Sequence, residues 1–240
     1  MITLLIPAFN EELNIASTFA TLLDVKNLSR FEFNILIVND GSTDGTEQVV
    51  AKWQKSPLTI DLISLEYNQG QGAAIREGVK QVNTKYFLII PADDDLSAEA
   101  IIALMQTADK VNIAVGYYDK SLKRASYRKL LSKLYSFFIC KITGVNIKYI
   151  NGPALYTTEI AKNLNLSSRG FTLISEMTSK SLHEVALYTE VCLKPNSTTS
   201  IPGTSFSLKT IKEIIGLVFR FTVGRDRNLR KKSTANFVKI

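Results

Sequence analysis

The sequence predicts an α/β fold built on a mostly parallel, Rossmann-like sheet with helices on both faces. Short apolar runs rich in β-branched residues alternate with helical patterns through the first half of the chain, and polar clusters follow the ends of several runs. Such alternation is typical of parallel strands joined by crossover helices. A length of 240 residues suffices for one core of this kind.

Five strands and four helices are predicted in the first half. Each strand is a short run of apolar, mainly β-branched or aromatic residues, and each helix shows apolar residues at helical spacing. The predicted strands are 2–6, 34–38, 59–65, 86–90 and 111–116. The predicted helices are 11–24, 44–53, 72–82 and 98–108. Residues 1–117 would thus form the regular half of the sheet.

The second half is less regular. A long basic and apolar helix is predicted near 122–142, followed by strands around 147–157 and 185–193 and by helices near 173–182 and 208–221. The run 194–207 is rich in Ser, Thr, Pro and Gly, which predicts a loop. We therefore assign residues 1–210 to one domain, divided near 117, and residues 211–240 to an amphipathic helix with a basic tail.

Composition and charge narrow the classes of function. The chain lacks any run of about 18 uncharged apolar residues, so no membrane span is predicted. No leader pattern follows Met1, and we expect a cytoplasmic location. The net charge of +7 suggests an anionic partner, although the basic run 220–239 alone would also fit a solvated tail. Basic residues are not interleaved with aromatic ones, so nucleic acid is not an expected partner.

Polar residues collect where three of the predicted strands end. The clusters are 7–12, 39–46 and 91–95, and all three contain carboxylates. Ligands of open parallel sheets bind beyond the carboxyl ends of the strands. Each cluster taken alone fits a helix cap equally well. Together they predict one crevice in which acidic side chains, Asp40 and Asp93 among them, meet.

The run Asp93-Asp94-Asp95 is the sharpest of these signals. Adjacent carboxylates repel one another and are seldom assembled without a cation. In an extended segment Asp93 and Asp95 would share one side, and two carboxylates with diphosphate and water are a common way to hold Mg²⁺ or Mn²⁺. A further cluster, 68–78, opens a helix with paired glycines, whose amides could approach either a phosphate or a neighbouring loop.

The order and spacing of these four clusters resemble glycosyltransferase family 2, in its polyprenyl-phosphate branch, which includes dolichyl-phosphate mannose synthase. The resemblance implies the GT-A nucleotide-sugar fold, a divalent cation and inversion at the sugar carbon. It also implies metal binding and catalysis by Asp93 and Asp95. The residues expected to bind the nucleoside-diphosphate sugar are Pro7, Ala8, Asn10, Glu11, Asp40, Gly41, Gly72, Arg76 and Asp93.

The second half resembles the same branch, and the resemblance supplies an acceptor region. The expected acceptor-binding residues are Lys123, Arg124, Arg128 and Ser132. Glu176 is the candidate base for an acceptor hydroxyl, although a phosphate acceptor would need none. The alternative for Glu176 is a solvated helix residue.

The sequence departs from the family pattern in four places, which are Gln71, Pro91, Tyr118 and the run 203–205. Several of these departures remove a cation that the family has on the acceptor side. The leading hypothesis is sugar transfer from a UDP- or GDP-sugar to a polyprenyl phosphate or a surface glycan. Because acceptor-side cations are missing, the second hypothesis is a catalytically weak nucleotide-binding subunit of a glycan-assembly complex.

Residues 124–142 of the long helix predicted in the second half combine basic residues with an apolar stripe at Leu130, Leu134, Phe137 and Phe138. Such a helix either packs on the core or lies in the headgroup plane of a membrane, where the basic tail would add to binding. We expect peripheral association with the inner face of the cytoplasmic membrane. The pattern leaves a homo-oligomer open.

Overall fold

A computed structural model describes residues 1–118, 126–194, 208–224, 226–230 and 233–240. The predicted elements of the first half are all present, with ends shifted by up to four residues. The strands are β1 Ile2–Ala8, β2 Phe33–Asn39, β3 Ile60–Ser64, β4 Tyr86–Ile89 and β5 Ile113–Tyr118. The helices are α1 Ile15–Leu28, α2 Thr46–Trp53, α3 Gln71–Gln81 and α4 Ala98–Met105.

The second half contains the predicted elements and three that were not predicted. The predicted ones are α5 Ser126–Thr143, β6 Ala154–Thr157, α7 Leu173–Glu184, β7 Leu187–Leu193 and α8 Leu208–Thr222. The additional ones are α6 Thr158–Asn163, a 3₁₀ helix Arg227–Arg230 and β8 Asn236–Phe237. Since β8 pairs with β7, the C-terminal segment contributes to the sheet as well as forming a helix.

In the described part of the chain the sheet has eight strands in the order β3-β2-β1-β4-β6-β5-β7-β8. All neighbours are parallel except for β6, which runs antiparallel to β4 and β5. Strand β1 lies between β2 and β4, with Ala8 opposite Asn39 and Leu5 opposite Ile89. The carboxyl ends of β1, β2 and β4 therefore meet at one edge, where the polar clusters were predicted to converge.

Helices cover both faces of the sheet because successive residues of β1 point to opposite sides. Leu4 and Ile6 are fully buried in one core with Ile15 and Phe19 of α1. Leu5 belongs to the other core, which includes helices α3, α5, α7 and α8. Burying one such side chain contributes about 1.5–3 kcal/mol. The predicted α/β class is confirmed, and the two cores hold the strand ends in fixed positions.

Helix α3 packs unusually close to the sheet. A Cβ atom on Gly78 would lie 2.3 Å from Leu5 Cδ1 and 3.0 Å from Val38 Cγ2, so a larger side chain would require these side chains or the helix to shift. Glycine at this position therefore allows α3 to pack against β1 and β2.

Candidate functional site

The loops after β1 and β2 are joined by hydrogen bonds. The Asn10 amide donates to Ser42 Oγ at 3.0 Å, and the Thr43 amide donates to Asn10 Oδ1 at 2.8 Å. The Glu11 amide donates to Thr46 Oγ1 at 2.8 Å. These contacts hold residues 10–12 out of the helix, which explains why α1 begins at Ile15 and not at residue 11 as predicted. Asn10 and Glu11 thus lie beside the β2 loop, just beyond Pro7 and Ala8.

Asp40 connects the β2 loop to the loop that opens α3. Its carboxylate, 1% exposed, accepts hydrogen bonds from the amides of Gln69 at 2.9 Å and Gly70 at 2.8 Å. Gly41 follows with φ +67°, and a Cβ there would lie 2.5 Å from the carbonyl carbon of Tyr67. Only glycine fits this close approach. Asp40 and Gly41 therefore shape the floor of the crevice.

The acidic run after β4 does not have the extended backbone on which the prediction relied. The chain turns at residues 92 and 93, and Asp94 adopts φ +58°. Asp94 is held against α1, since its Oδ1 accepts from Thr21 Oγ1 at 2.7 Å and its amide donates to Thr18 Oγ1 at 3.1 Å. The argument that Asp93 and Asp95 share a side of an extended segment is therefore wrong, although both remain at the edge of the sheet.

Asp93 and Glu11 bring carboxylates from two strand ends into electrostatic contact. The pKa of Glu11 is raised, first by burial and then by the negative charges of Asp93 and Asp44, against a hydrogen bond from Asn14 that lowers it. Asp93 Oδ1 is buried and has no hydrogen-bond partner among the residues that the structure describes. A buried carboxylate oxygen without a donor costs free energy unless a ligand satisfies it.

The residues at this edge fit a divalent cation held jointly by protein and ligand. Within the described ranges, no group of three or more His, Cys, Asp or Glu side chains surrounds a common point. Asp93 and Asp95 would supply two oxygen ligands, and the unpartnered Asp93 Oδ1 is suited to this role. Diphosphate and water oxygens would complete the coordination, as is common for Mg²⁺.

The opening of α3 contacts protein in place of a phosphate. The amides of Gly72 and Ala73 donate to the Arg169 carbonyl at 2.8 and 3.2 Å, and a Cβ on Gly72 would lie 2.7 Å from that carbonyl carbon. Arg76 donates to the Ser168 carbonyl. These polar groups hold the neighbouring loop, and the expectation that Gly72 and Arg76 bind the donor stays a prediction.

Glu176 lies in a buried ionic cluster, which we call the α7 cluster and which comprises Glu176, Lys180, Arg220 and Asp226. Glu176 is 0% exposed, and its carboxylate accepts from Lys180 Nζ at 2.8 Å and from the amides of Ser167 and Ser168. Lys180 also pairs with Asp226 at 3.1 Å, and Arg220 Nη2 lies 3.7 Å from Glu176.

The surroundings of Glu176 do not suit a general base. Burial acts to raise its pKa, but hydrogen bonds and charge from Lys180, together with hydrogen bonds from Ser168, lower it to about 2. A base needs an accessible oxygen and a pKa near the working pH. These surroundings argue against the expected role of Glu176 as the base, and the alternative of a solvated residue is wrong because the side chain is buried. It fixes the loop 167–170 that covers α3.

The expected acceptor residues are only partly described. Ser132 lies half-buried in α5, and Arg128 belongs to the same helix. Lys123, Arg124 and the run 203–205 lie outside the described residues.

A cavity of about 110 Å³ opens beside Asp95, and its walls include Gln71, Pro91 and Tyr118, three of the positions that depart from the family pattern. It is lined by Gln71, Ile89, Pro91, Asp95, Tyr118, Tyr149, Asn151, Gly152, Pro153, Ala154, Tyr156 and Ile174. A Cβ on Gly152 would lie 2.0 Å from the Gly116 carbonyl oxygen, so this glycine lets residues 149–153 fold closely against β5. For this part of the wall the turn sequence Asn151-Gly152-Pro153 was the available signal, and it fell within a predicted strand.

Similar sequences identify the family of this chain. Residues 3–164 match the sequence model of the family described as Glycosyl transferase family 2. The chain is 31% identical over 145 residues to undecaprenyl-phosphate 4-deoxy-4-formamido-L-arabinose transferase of Photorhabdus laumondii, covering 60% of this chain and 44% of that protein. It is 24% identical over 251 residues to dolichyl-phosphate beta-glucosyltransferase of Dictyostelium discoideum, covering 93% and 75%.

Solved structures share the fold at low sequence identity. S. aureus TarS, crystallised with UDP-GlcNAc, aligns with a TM-score of 0.66 at 18% identity over 94% of this chain and 67% of that one. Glucosyl-3-phosphoglycerate synthase from Mycobacterium tuberculosis, crystallised with Mn²⁺, UDP and glucosyl-3-phosphoglycerate, aligns with a TM-score of 0.65 at 15% identity over 94% and 79%. Both are GT-A glycosyltransferases, and the predicted GT-A fold is confirmed.

Proposed function

The chain belongs to glycosyltransferase family 2, and from this premise we propose that it transfers a sugar from a UDP- or GDP-sugar to a polyprenyl phosphate or glycan acceptor. The chain spans less than half the length of the arabinose transferase that it resembles and three quarters of the glucosyltransferase. The proposal therefore rests on the site of this chain as well as on its relatives.

The observation that carries the proposal is the meeting of carboxylates at the ends of adjacent strands. Burial raises the pKa of Glu11, the negative charge of Asp93 adds to this rise, and Asp93 Oδ1 has no hydrogen-bond donor in the described part of the chain. Such an arrangement needs an external cation. When bound, Mg²⁺ or Mn²⁺ would supply positive charge that offsets the charge developing on the departing diphosphate.

The remaining residues would hold and orient the donor. Pro7, Ala8, Asn10 and Glu11 on one side, with Asp40 and Gly41 on the other, would form the nucleoside site. The acceptor oxygen would form its bond to the sugar carbon on the face opposite the diphosphate while the bond to the diphosphate breaks, which inverts the configuration. The hydrogen bonds of Asp40 to the amides of Gln69 and Gly70 support this role because they would hold the loops around the donor in one arrangement before the reaction.

A membrane surface is the proposed place of action. The adjacent helices α5 and α8 expose apolar side chains that would otherwise face water. On α5 they are Leu130, Leu131, Leu134, Phe137 and Phe138. On α8 they are Ile211, Ile215 and Phe219, and Val223 follows the end of the helix. Exposed Lys133, Lys141 and Lys212 accompany them. Apolar faces with cations at their borders suit the headgroup plane of an anionic bilayer.

Among the residues that the structure describes, no helix is long and apolar enough to cross a membrane. The membrane proposal is tested by sedimentation with vesicles of anionic lipid at low salt. We expect binding that Phe219→Glu weakens, with the apolar-to-polar change Val49→Thr on distant α2 as a control. Equal binding by the two variants would contradict the assignment of α8.

The enzymatic proposal is tested with purified full chain and a set of UDP- and GDP-sugars. We expect Mn²⁺-dependent donor hydrolysis and transfer to a lipid extract, both lost in Asp93→Ala. Nucleotide binding without hydrolysis or transfer would favour the partner-subunit alternative. Unchanged activity in Asp93→Ala would contradict the proposed mechanism.

A further inference from the structure

Helix α8 faces solvent on one side and the protein core on the other. Ile211, Ile215 and Phe219 follow one another at intervals of four residues and are 45%, 63% and 60% exposed. Leu217 and Phe221 are fully buried, in the core that also contains residues of α5 and α7. A surface that binds the exposed stripe therefore acts on a helix whose other side is anchored in the protein interior.

Polar side chains of α8 hold the loop 167–170. Arg220 Nη2 donates to Ser168 Oγ at 2.7 Å. The carboxylate of Glu213 packs against Gly170 so closely that a Cβ atom there would lie 2.3 Å from Glu213 Oε1. Two side chains that lie about two turns apart on α8 therefore contact the same loop.

The same loop contacts the opening of α3. Its Arg169 carbonyl accepts hydrogen bonds from the amides of Gly72 and Ala73. A Cβ atom on Gly70 would lie 2.6 Å from that carbonyl oxygen, and the φ of +96° at Gly70 also favours glycine. The Gly70 amide in turn donates to the carboxylate of Asp40, in the proposed nucleoside site, at 2.8 Å. A continuous series of contacts therefore runs from α8 through the loop and the opening of α3 to Asp40.

We propose that binding of α8 to an anionic lipid surface strengthens binding of the nucleoside diphosphate, with Arg220 and Ser168 as positioning residues. The lipid surface buries the exposed stripe of α8 and fixes the position of the helix, and with it Arg220 and Glu213. The loop 167–170 then holds the opening of α3 and the contacts of Asp40 in the arrangement that receives the donor. Ordering these parts in advance lowers the free-energy cost of binding the nucleotide.

The inference rests on the proposed function and deepens it, because it concerns the regulation of the donor site. Linkage makes the effect reciprocal: the factor by which lipid strengthens nucleotide binding equals the factor by which the nucleotide strengthens lipid binding. The donor-loaded enzyme is therefore retained at the surface that would hold a lipid-linked acceptor. Release of the nucleoside diphosphate weakens that retention.

The inference is tested by equilibrium dialysis of UDP and GDP against the full chain with Mn²⁺. One arm contains enough phosphatidylglycerol vesicles to bind all of the protein, and the other contains none. We expect the vesicles to lower the Kd of the nucleotide that binds by at least about fivefold. Sedimentation with the vesicles should show binding strengthened by the same factor when the nucleotide is present. Equal nucleotide Kd values with and without vesicles would overturn the inference and leave the proposed function standing.

Two neighbouring serines of the loop provide a matched pair of variants. Ser168→Ala removes the acceptor of the Arg220 hydrogen bond and keeps the amide that donates to Glu176, so we expect the vesicle effect to fall below about twofold. Ser167→Ala removes a hydroxyl that donates to Glu176 at 3.2 Å, and it should keep the full vesicle effect. Equal vesicle effects in the two variants would overturn the proposed route from α8 to the donor site. Thermal unfolding checks that each variant is folded.

Phe219→Glu separates binding of α8 to lipid from a general effect of the vesicles on the nucleotide. Vesicles should leave the nucleotide Kd of this variant unchanged, and a fall equal to that of the unsubstituted chain would overturn the inference. An unsubstituted chain that does not bind the vesicles would overturn the inference together with the proposed place of action. If the unsubstituted chain binds neither UDP nor GDP in either arm, the proposed function itself is contradicted.

Discussion

Two acidic regions of this molecule differ in how their charge is compensated. At the strand ends, burial raises the pKa of Glu11, and the negative charges of Asp93 and Asp44 raise it further. In the α7 cluster, the Glu176 carboxylate accepts hydrogen bonds from Lys180 and from two serine amides, and its pKa is lowered to about 2. The first region lacks an internal partner for Asp93 Oδ1, whereas the second supplies cations from the chain itself.

The difference separates a binding site from a structural one. Carboxylates left with repulsion and an unpartnered oxygen depend on a ligand, so their substitution should affect activity more than folding. A carboxylate saturated by buried partners contributes to the fold, so its substitution should affect stability first. Both regions were candidates for chemistry in the sequence, and only their surroundings distinguish them.

The largest expected effect is on activity at the strand ends. Asp93→Asn keeps the shape but removes the charge, and we expect transfer to fall by about a thousandfold because a metal ion contributes several kcal/mol to stabilising the departing charge. The melting temperature without metal should not fall. A steady-state transfer assay and thermal unfolding measure the two quantities. A large loss of stability with normal activity would reverse the comparison.

The largest expected effect on stability is in the α7 cluster. Lys180→Met leaves Glu176 and Asp226 without their shared cation, and we expect a loss of about 3–5 kcal/mol in the free energy of unfolding. The matched control is Lys80→Met, because Lys80 pairs with Glu77 at 2.7 Å on the surface, where such a pair is worth about 0–1 kcal/mol. Denaturant titration of both variants checks this, and equal losses would contradict it.

The pH dependence of stability sharpens the same contrast. Since the pKa of Glu176 is about 2 in the folded state and 4.5 in its ordinary state, this group stabilises the fold fully above pH 4.5 and loses its contribution as the pH falls toward 2. The amount is about 3 kcal/mol. Unfolding free energies of the unsubstituted chain and of Glu176→Gln should converge over this interval. Parallel curves would mean that Glu176 is not the group responsible.

The smallest expected effect is at Glu11. Its raised pKa means that the ionised form is disfavoured by folding, so Glu11→Gln should stabilise the metal-free protein by less than about 1 kcal/mol because solvent screens the repulsion. The same change should reduce the stabilisation that Mn²⁺ provides. Thermal unfolding with and without Mn²⁺ measures both shifts. Destabilisation of the metal-free variant would show that repulsion from Asp93 and Asp44 is unimportant.

The regular half of the fold was predictable because its signals are local. Strand-sized apolar runs and helical spacing lie within about 15 residues, and ligand sites of parallel sheets follow the strand ends by rule. Strand β6 was predicted in place but not in direction, since the sequence of Ala154–Thr157 does not encode whether its neighbours run parallel. The two-residue strand β8 carries no pattern at all.

What the sequence missed or left open at the site are contacts distant in sequence. Gly72 and Arg76 contact Arg169 and Ser168, more than 90 residues away. The paired glycines allowed a neighbouring loop at the opening of α3, but no local pattern identifies that loop. The spacing of Glu176 and Lys180 suggests a pair on one helix face. The surroundings of that pair depend on Arg220 in α8 and on Asp226, which follows the end of α8. Residue type and local spacing indicated which side chains could bind a ligand. Tertiary packing decided which of them contact protein instead.

The account depends on a cation bridging Asp93 and a nucleoside diphosphate. Calorimetric titration of UDP and GDP into the full chain, with and without Mn²⁺, tests this directly. We expect Mn²⁺ to strengthen binding of one nucleotide by at least about tenfold in the unsubstituted chain and to leave Asp93→Asn unaffected. Binding that is equally tight without Mn²⁺, or equally metal-dependent in Asp93→Asn, would contradict the central claim.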